Sequence, residues 1–191
     1  MKTWNIDTIH STVGFAVRHM LVSKVRGRFN RWSGRLRFDA PDCPAASVSV
    51  QIDAGSIDTN DPQRDAHLRS ADFLDVERFP WISFRSTRVQ AASAGGLLLV
   101  GDLTLRGVTR EVLLEVEYGG RMRDPDGNER AGFTAHTTIN RRAFGVTFNQ
   151  VLDSGGLALG DKLELVIEIE AISDDRGAAT YAGVAAGAPQ T

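Results

Sequence analysis

Apolar residues recur at every second position through most of the chain, which is the period at which strand side chains share one face. The first such stripe is Val13, Phe15, Val17 and His19, and its last member is polar. Eight windows show this alternation and are predicted strands: 12–20, 27–39, 47–54, 81–90, 97–105, 111–118, 133–139 and 163–170. The pattern therefore predicts a fold built almost entirely from strands.

Each predicted strand has one apolar and one polar face, which is typical of an antiparallel sheet with one side in water. Turn signals separate the strands, among them Arg106-Gly107, Gly119-Gly120 and Gly160-Asp161. No helical pattern alternates with the strands, which argues against parallel βαβ units. We predict an all-β fold, either a closed barrel or a sandwich. An eight-stranded barrel is either filled by side chains or holds one small ligand.

The segment 60–78 departs from this pattern. Asn60 or Asp61 is expected to cap a short helix that has Pro62 near its first position. A helical insert in an all-β chain is expected to cover one end of the barrel.

After residue 173 the composition changes to Gly, Ala, Pro and Gln, so we expect one domain over 1–173 and a flexible tail over 174–191.

The composition removes several classes of function. A formal net charge of −2 gives no general attraction to nucleic acid. The single cysteine, Cys43, excludes an internal disulfide and a multi-cysteine zinc site. The N-terminal residues have no apolar core and no cleavage site of a signal peptide, so we expect a soluble, cytoplasmic protein.

Four groups of motifs resemble those of YceI-like proteins, and they occur in the order of that family. They are Trp4-Asn5-Ile6-Asp7 with the residues up to Phe29, Arg64-Asp65-Ala66-His67-Leu68-Arg69-Ser70, Gly101-Asp102-Leu103-Thr104-Leu105-Arg106-Gly107, and Ile139-Asn140-Arg141 with Phe144-Gly145. The resemblance implies an eight-stranded antiparallel, lipocalin-like barrel whose apolar lumen binds a polyisoprenoid, an isoprenoid quinone or a fatty-acyl lipid. It also implies pairing into homodimers.

The resemblance favours a ligand-holding lumen over a filled core, between which the alternation alone does not decide. The expected ligand-binding residues are Phe15, Val17, His19, Phe29, Phe38, Arg64, His67, Phe84, Phe133 and Arg141. The wider predicted lining adds Leu36, Val50, Ile52, Leu103, Leu114 and Ile167.

The polar members of this set each have two interpretations. His19 is either a hydrogen-bonded histidine of the core or mouth, or a contact for a ligand head group. His67 lies between Asp65 and Arg69, so it belongs either to a salt-bridged cluster that fixes the insert or to a cationic lip for a phosphate or quinone oxygen. Arg141 either stabilises the barrel or contacts the ligand. His136 is expected at the surface.

Metal binding, catalysis and nucleic-acid binding find little support. No two of the four histidines have the spacing of a common metal site, and no serine lies in a Gly-x-Ser-x-Gly elbow. We therefore expect no metal, no cofactor and no enzymatic activity. The basic cluster at Lys24, Arg26, Arg28, Arg31, Arg35 and Arg37 is either the solvated face of the second strand or a surface in transient contact with membrane lipids.

The sequence thus predicts a lipid-binding barrel for transport, storage or sequestration. Two alternatives remain. One is a filled barrel that acts through protein contacts. The other is an enzyme acting on such a lipid, whose turnover is lost when His67 or Asp65 is replaced.

Overall fold

The structure, a computed structural model, describes residues 1–20, 22–40, 42–43, 45–92, 96–151 and 158–174. Among these residues it has eleven strands and one α-helix. The strands are β1 Thr3–Ile6, β2 Thr12–His19, β3 Ser23–Phe29, β4 Trp32–Arg37, β5 Ser47–Asp53, β6 Ile57–Asp58, β7 Trp81–Ala91, β8 Leu97–Leu105, β9 Val108–Arg123, β10 Glu129–Asn140 and β11 Leu159–Ser173. The helix α1 is Pro62–Arg69, and two 3-10 helices lie at Ala54–Ser56 and Arg141–Phe144. Apart from Asp174, the predicted tail lies outside the described residues.

The strands close into an antiparallel barrel with eight positions around it, which we call staves, because three staves (β1 with β2, β3 with β4, and β5 with β6) each consist of two strands placed end to end. β11 pairs with β10 on one edge and with both β1 and β2 on the other. β3 pairs with β2, while β4 pairs with β1 and β5. The remaining neighbours are β5–β7–β8–β9–β10. The predicted barrel is confirmed, although the division of its first three staves was not foreseen from the alternation.

The segment between β5 and β7 forms the expected insert at one end of the barrel, which we call the helix end. Asp61 caps α1, since its Oδ1 accepts from the backbone N–H of Arg64 at 3.1 Å, and Pro62 occupies the first turn. Arg106 in the β8–β9 turn donates to the carbonyl oxygens of Ala71 and Gly145, at 2.8 and 2.6 Å. This arginine ties the insert to the segment that follows β10.

Two apolar clusters lie inside the barrel. The larger, at the helix end, is built around Ile52, Phe73, Leu105, Ile139 and Phe144. The smaller, at the opposite end, contains Trp4, Leu36, Phe38, Ala131 and Ala171. Trp4 stacks on Phe38 with ring centroids 4.8 Å apart. These clusters pack the two ends, and the space between them is lined rather than filled.

Candidate functional site

A cavity of about 440 Å³ lies inside the barrel, which is a volume typical of small-molecule sites. Inward-facing side chains from both ends and from all eight staves line it. Along β11 the lining runs from Leu159 to Ile169, which is about 33 Å of strand and about 25 Å of barrel axis after allowing for strand tilt. The cavity is therefore long and narrow.

Apolar side chains dominate the wall, and many are only half-buried although they point inward. Phe15, Phe29, Val50 and Phe84 all show this intermediate exposure. In a filled barrel these side chains would pack against one another and lose their remaining accessible surface. Their residual exposure is to the cavity, so the interior is an unfilled lumen.

All ten predicted ligand-binding residues line this cavity: Phe15, Val17, His19, Phe29, Phe38, Arg64, His67, Phe84, Phe133 and Arg141. The six further residues of the predicted lining do so as well. Period-two alternation found the strand residues among them because each stave presents one face to the lumen, whereas Arg64, His67 and Arg141 came from the motif resemblance. That these residues contact a ligand stays a prediction.

The cavity opens to solvent at the helix end. His67, Phe148 and Gln150 line it there and are exposed. The ring centroid of His67 lies 5.0 Å from those of both Phe73 and Phe148, in edge-to-face contacts. These residues form the rim of the opening, which we call the mouth.

Hydrogen bonds hold the mouth in place from the side of β2 and β11. The backbone N–H of Met20 donates to the Ala158 carbonyl at 2.8 Å, and that of Ala158 donates to Gln150 at 2.9 Å. The side-chain oxygen of Asn149 accepts from the Leu159 N–H, while its amide donates to the Leu159 carbonyl. Phe148, Asn149 and Gln150 were missed from the sequence because their segment has no period-two alternation.

His19 lies at the mouth. It is half-buried and lines the cavity at the end of β2, opposite Leu159 and Ser23. Its ring forms no hydrogen bond with any of the described residues. The described part of the chain therefore does not support the interpretation of His19 as a hydrogen-bonded core residue. The imidazole can donate a hydrogen bond to a ligand or accept one from it.

The salt-bridged cluster proposed around His67 has different partners from those expected. His67 Nε2 lies 2.8 Å from Asp72 Oδ2, not near Asp65. Asp65 is buried and accepts from the backbone N–H of Thr59 at 2.9 Å and from its hydroxyl. Arg64 donates to the carbonyl and hydroxyl oxygens of the same threonine. Asp65 and Arg64 thus fix the start of the insert through Thr59. Asp65 does not meet His67, because residues two positions apart on a helix do not face each other.

Arg141 is fully buried, and its guanidinium is used by the protein. It donates to the carbonyl oxygens of Val146 and Phe148, both at 2.8 Å, and of Gly160 at 2.9 Å. Asp161 accepts a further bond at 3.3 Å. Burial lowers the pKa of Arg141, and the Asp161 carboxylate opposes that effect. Of its two interpretations the geometry favours the stabilising one, in which Arg141 holds the segment that carries Phe148 against β11.

One polar cluster on the outer surface was not expected from the sequence. Ligand atoms of Asp7, His10 and Glu170 all lie within 4.8 Å of one another. Arg130 already bridges this group: it donates to Asp7 at 2.9 Å, to Asp124 at 2.7 Å and to Glu170. A guanidinium therefore already bridges the carboxylates, and the cluster is an ion-pair network that joins β10 to the ends of neighbouring segments. Sequence reasoning missed it because its members come from three distant segments, 7–10, 124–130 and 170.

The basic side chains of the second stave lie outside the lumen lining, except for Arg37, which lines the cavity as Trp32 does. Lys24 pairs with Glu164, Arg28 with Asp58 and Arg31 with Asp53. His136 is exposed, as expected. Within the described ranges, no helix is long and apolar enough to cross a membrane.

Taken together, the lumen can bury an apolar chain and offer hydrogen-bonding groups at its mouth. Comparison with known proteins agrees with this architecture. Residues 4–171 match the family described as YceI-like domain. A UPF0312 protein of Shewanella denitrificans is 40% identical over 165 residues, covering 85% of this chain and 84% of that protein.

Two solved structures show the same fold. BcnA of Burkholderia cenocepacia superposes with a TM-score of 0.75 at 22% identity, covering 86% of this chain and 98% of that chain. A polyisoprenoid binding domain from Saccharophagus degradans superposes with a TM-score of 0.64 at 13% identity, covering 91% and 99%. With its family match spanning all eight staves, the chain belongs to the YceI-like family.

Proposed function

We propose that this protein binds a long-chain amphiphile in the barrel lumen and carries, stores or sequesters it. The observation that supports this most directly is the unfilled lumen of about 440 Å³ walled by half-buried apolar side chains. Apolar surface facing an open cavity loses the stabilisation that burial gives, and a hydrocarbon restores it. A filled barrel acting through protein contacts would not have such a lumen.

The shape of the lumen favours a chain over a compact ring system. It extends along most of the barrel axis, while its width is that of an eight-stranded barrel, which admits one small ligand. Each buried five-carbon isoprene unit is worth about 4 kcal/mol, at about 0.8 kcal/mol per carbon. A few such units outweigh an association cost of up to about 15 kcal/mol. Affinity is then set mainly by the length of the buried chain.

Most polar groups of the lining lie toward the mouth, which gives the ligand a direction, whereas Arg37 and Ser47 line the cavity near the opposite end. His19, Asn149 and Gln150 lie at the mouth, while Trp4 and Phe38 pack the opposite end. An amphiphile would insert its hydrocarbon toward the Trp4 cluster and leave its head group beside His19. The polyisoprenoid binding domain from Saccharophagus degradans has this fold. That likeness supports a polyisoprenoid or an isoprenoid quinone, with a fatty-acyl lipid as the nearest substitute. Homodimer formation, a cytoplasmic location and the absence of enzymatic activity stay predictions.

The proposal is tested by native mass spectrometry of the purified protein, followed by organic extraction and identification of any lipid. Protein without bound lipid is then incubated with prenyl alcohols and fatty acids of increasing chain length. We expect one lipid per barrel, with affinity rising with chain length. Failure to take up any of these lipids would overturn the proposal.

A matched pair of variants locates the binding site. Leu99→Trp adds bulk to the lumen wall, whereas Leu113→Trp adds the same bulk on the neighbouring strand at an exposed position. We expect Leu99→Trp to reduce uptake of the longest chains most, and Leu113→Trp to bind like the wild type. Equal uptake by the two variants would place the ligand outside the lumen.

A further inference from the structure

The mouth of the barrel carries exposed apolar side chains on its outer side. Met20 and Val22 belong to the β2–β3 turn, and Val22 is 85% exposed. Phe148 and Val151 belong to the segment after β10, and Val151 is 70% exposed. The hydrogen bonds from Met20 to Ala158 and from Ala158 to Gln150 bring these two segments side by side. We call Met20, Val22, Phe148 and Val151 the mouth rim.

Positive charge lies directly behind this rim on the outer face of β2 and β3. Arg18 pairs across the strands with Lys24, and Arg26 lies two positions further along β3. A single carboxylate, Glu164, lies among the three, with Lys24 Nζ 2.6 Å from its Oε2. The hydrogen bond from Lys24, and then the charges of Lys24, Arg18 and Arg26, lower the pKa of Glu164. The patch is therefore net positive on a protein whose overall charge is negative.

Two other carboxylates at the mouth, within the part of the chain that the structure describes, have basic partners. Asp72 lies 2.8 Å from His67. Asp161 pairs with Arg141 at 3.3 Å and with Arg142 at 3.9 Å. Among the described residues, positive charge is therefore in excess behind the rim, and the chemistry that it complements is anionic.

Exposed apolar side chains bordered by basic residues are the features with which a peripheral protein contacts an anionic lipid surface. We propose that the mouth rim docks on the surface of a bilayer that contains anionic phospholipids, with Arg18, Lys24 and Arg26 facing its head groups. The rim side chains enter the interface, and the lumen opening then faces the lipid. The partner is a bilayer surface, which goes beyond ligand binding in the lumen.

A second copy of the chain fits this surface less well. A two-fold symmetric interface would place the positive patch of one copy against the same patch of the other. The two positive patches would repel each other, whereas an anionic bilayer attracts all three basic side chains. The charge distribution therefore favours lipid over self-association.

Sedimentation with vesicles tests the proposal. The vesicles contain either equal parts of phosphatidylglycerol and phosphatidylcholine, or phosphatidylcholine alone. We expect the wild type to sediment with the first kind in preference to the second, and to be released as salt is raised. Sedimentation that is no greater with phosphatidylglycerol than without it would overturn the proposal.

Matched variants show whether the rim is the contact. Val22→Ser is paired with Ile9→Ser, since Ile9 is 87% exposed but lies between β1 and β2, away from the mouth. Arg26→Glu is paired with Arg35→Glu, since both arginines are exposed on the same composite stave and Arg35 lies toward the opposite end. We expect about tenfold weaker vesicle binding for Val22→Ser. For Arg26→Glu we expect a loss of about fivefold or more. The two control variants are expected to bind vesicles like the wild type.

Equal losses in a variant and its control would overturn the assignment of the rim. So would a dimer, seen by light scattering, that Val22→Ser dissociates without weakening vesicle binding, because the rim would then contact a second copy. Leu99→Trp keeps the two proposals separate: it is expected to bind vesicles normally while losing lumen capacity. The two proposals can thus fail independently: vesicle binding can be lost while lipid uptake is kept, and lipid uptake can be lost while vesicle binding is kept.

Discussion

The phenyl ring of Phe84 occupies the space that a side chain at position 101 would need. Its Cζ lies 2.6 Å from where the Cβ atom of a residue replacing Gly101 would be. Phe84 on β7 pairs directly with Leu103 on β8, so its ring reaches diagonally over the glycine, as long side chains on adjacent strands do. Gly101 therefore lets an aromatic ring lie against the wall of the lumen and leaves the centre of the lumen open.

Replacement of Gly101 by alanine is expected to destabilise the barrel. The new methyl group would lie 2.5 Å from the backbone oxygen of Arg85 and 2.6 Å from Phe84, so both strand and ring must shift. Overpacking of this kind costs about 1–3 kcal/mol. Urea unfolding followed by circular dichroism measures the change. Gly132→Ala is the control, because no described atom lies within 4 Å of its added methyl group. An unchanged free energy of unfolding for Gly101→Ala would show that β7 and β8 yield more easily than this geometry indicates.

The imidazole of His19 is expected to contribute to binding through the head group alone. We expect His19→Ala to weaken binding of a prenyl phosphate or quinone by about 0.5–1.5 kcal/mol, the net worth of one hydrogen bond. A plain hydrocarbon of the same length should bind both proteins equally. Isothermal titration of the two ligand types measures the difference. His136→Ala, at an exposed position, should change neither affinity. A loss in that variant instead would mean that β10 presents its other face to the lumen.

Loss of the Asp65 carboxylate is expected to loosen the insert. Asp65→Ala leaves the backbone N–H and hydroxyl of Thr59 without their acceptor in a buried place, at a cost of about 1–3 kcal/mol. Hydrogen exchange should rise in α1 and in the residues that follow it. Gln63→Ala, exposed on the same helix, is the control. The enzyme alternative makes a different prediction, namely loss of lipid turnover with the insert still protected from exchange.

The fold and the lumen wall could be predicted because both follow from local rules. Strand side chains alternate, so Val13, Phe15 and Val17 must share a face whatever their partners are. The resemblance to a family of lipid-binding barrels then decided between a lumen and a filled core. The break between β1 and β2 was not predictable in this way. It depends on a turn at Asp7, whose Oδ1 accepts from the N–H of Ile9, and on the pairing of both strands with β11, which is distant in sequence.

The mouth was harder to predict because it, too, depends on contacts between segments that are distant in sequence. Motif resemblance placed Arg141 and His67 in the site, but the partners of both depend on tertiary contacts. Arg141 donates to carbonyls that arrive from a loop five and seven residues later, and His67 finds Asp72 across a turn. Side-chain partners of this kind are not encoded in spacing along one strand or helix.

Acid is expected to destabilise the barrel through the network around Arg130. Burial alone would raise the pKa of Asp7, but hydrogen bonds from His10 and Arg130 outweigh it and lower that pKa from 3.8 to about 2. Hydrogen bonds from Arg130 and then Asn128 lower the pKa of Asp124 to about 2 as well. Both carboxylates therefore have a lower pKa when folded than when unfolded. The stability that they contribute is complete above about pH 4 and is lost as the pH falls toward about 2.

Replacement of Arg130 by Gln tests this linkage. Without the guanidinium, the pKa values of Asp7 and Asp124 should move toward 3.8, so the folded and unfolded states would differ less in the protons that they bind. We expect the variant to have a lower thermal midpoint than the wild type at pH 7, and this difference should shrink as the pH falls to about 2. Thermal unfolding measured at several pH values gives both quantities. Arg35→Gln, which removes an exposed arginine outside the network, should follow the wild-type curve. A difference between wild type and Arg130→Gln that is the same at every pH would show that Arg130 stabilises the barrel by packing and not by charge, since packing does not depend on the protonation of its neighbours.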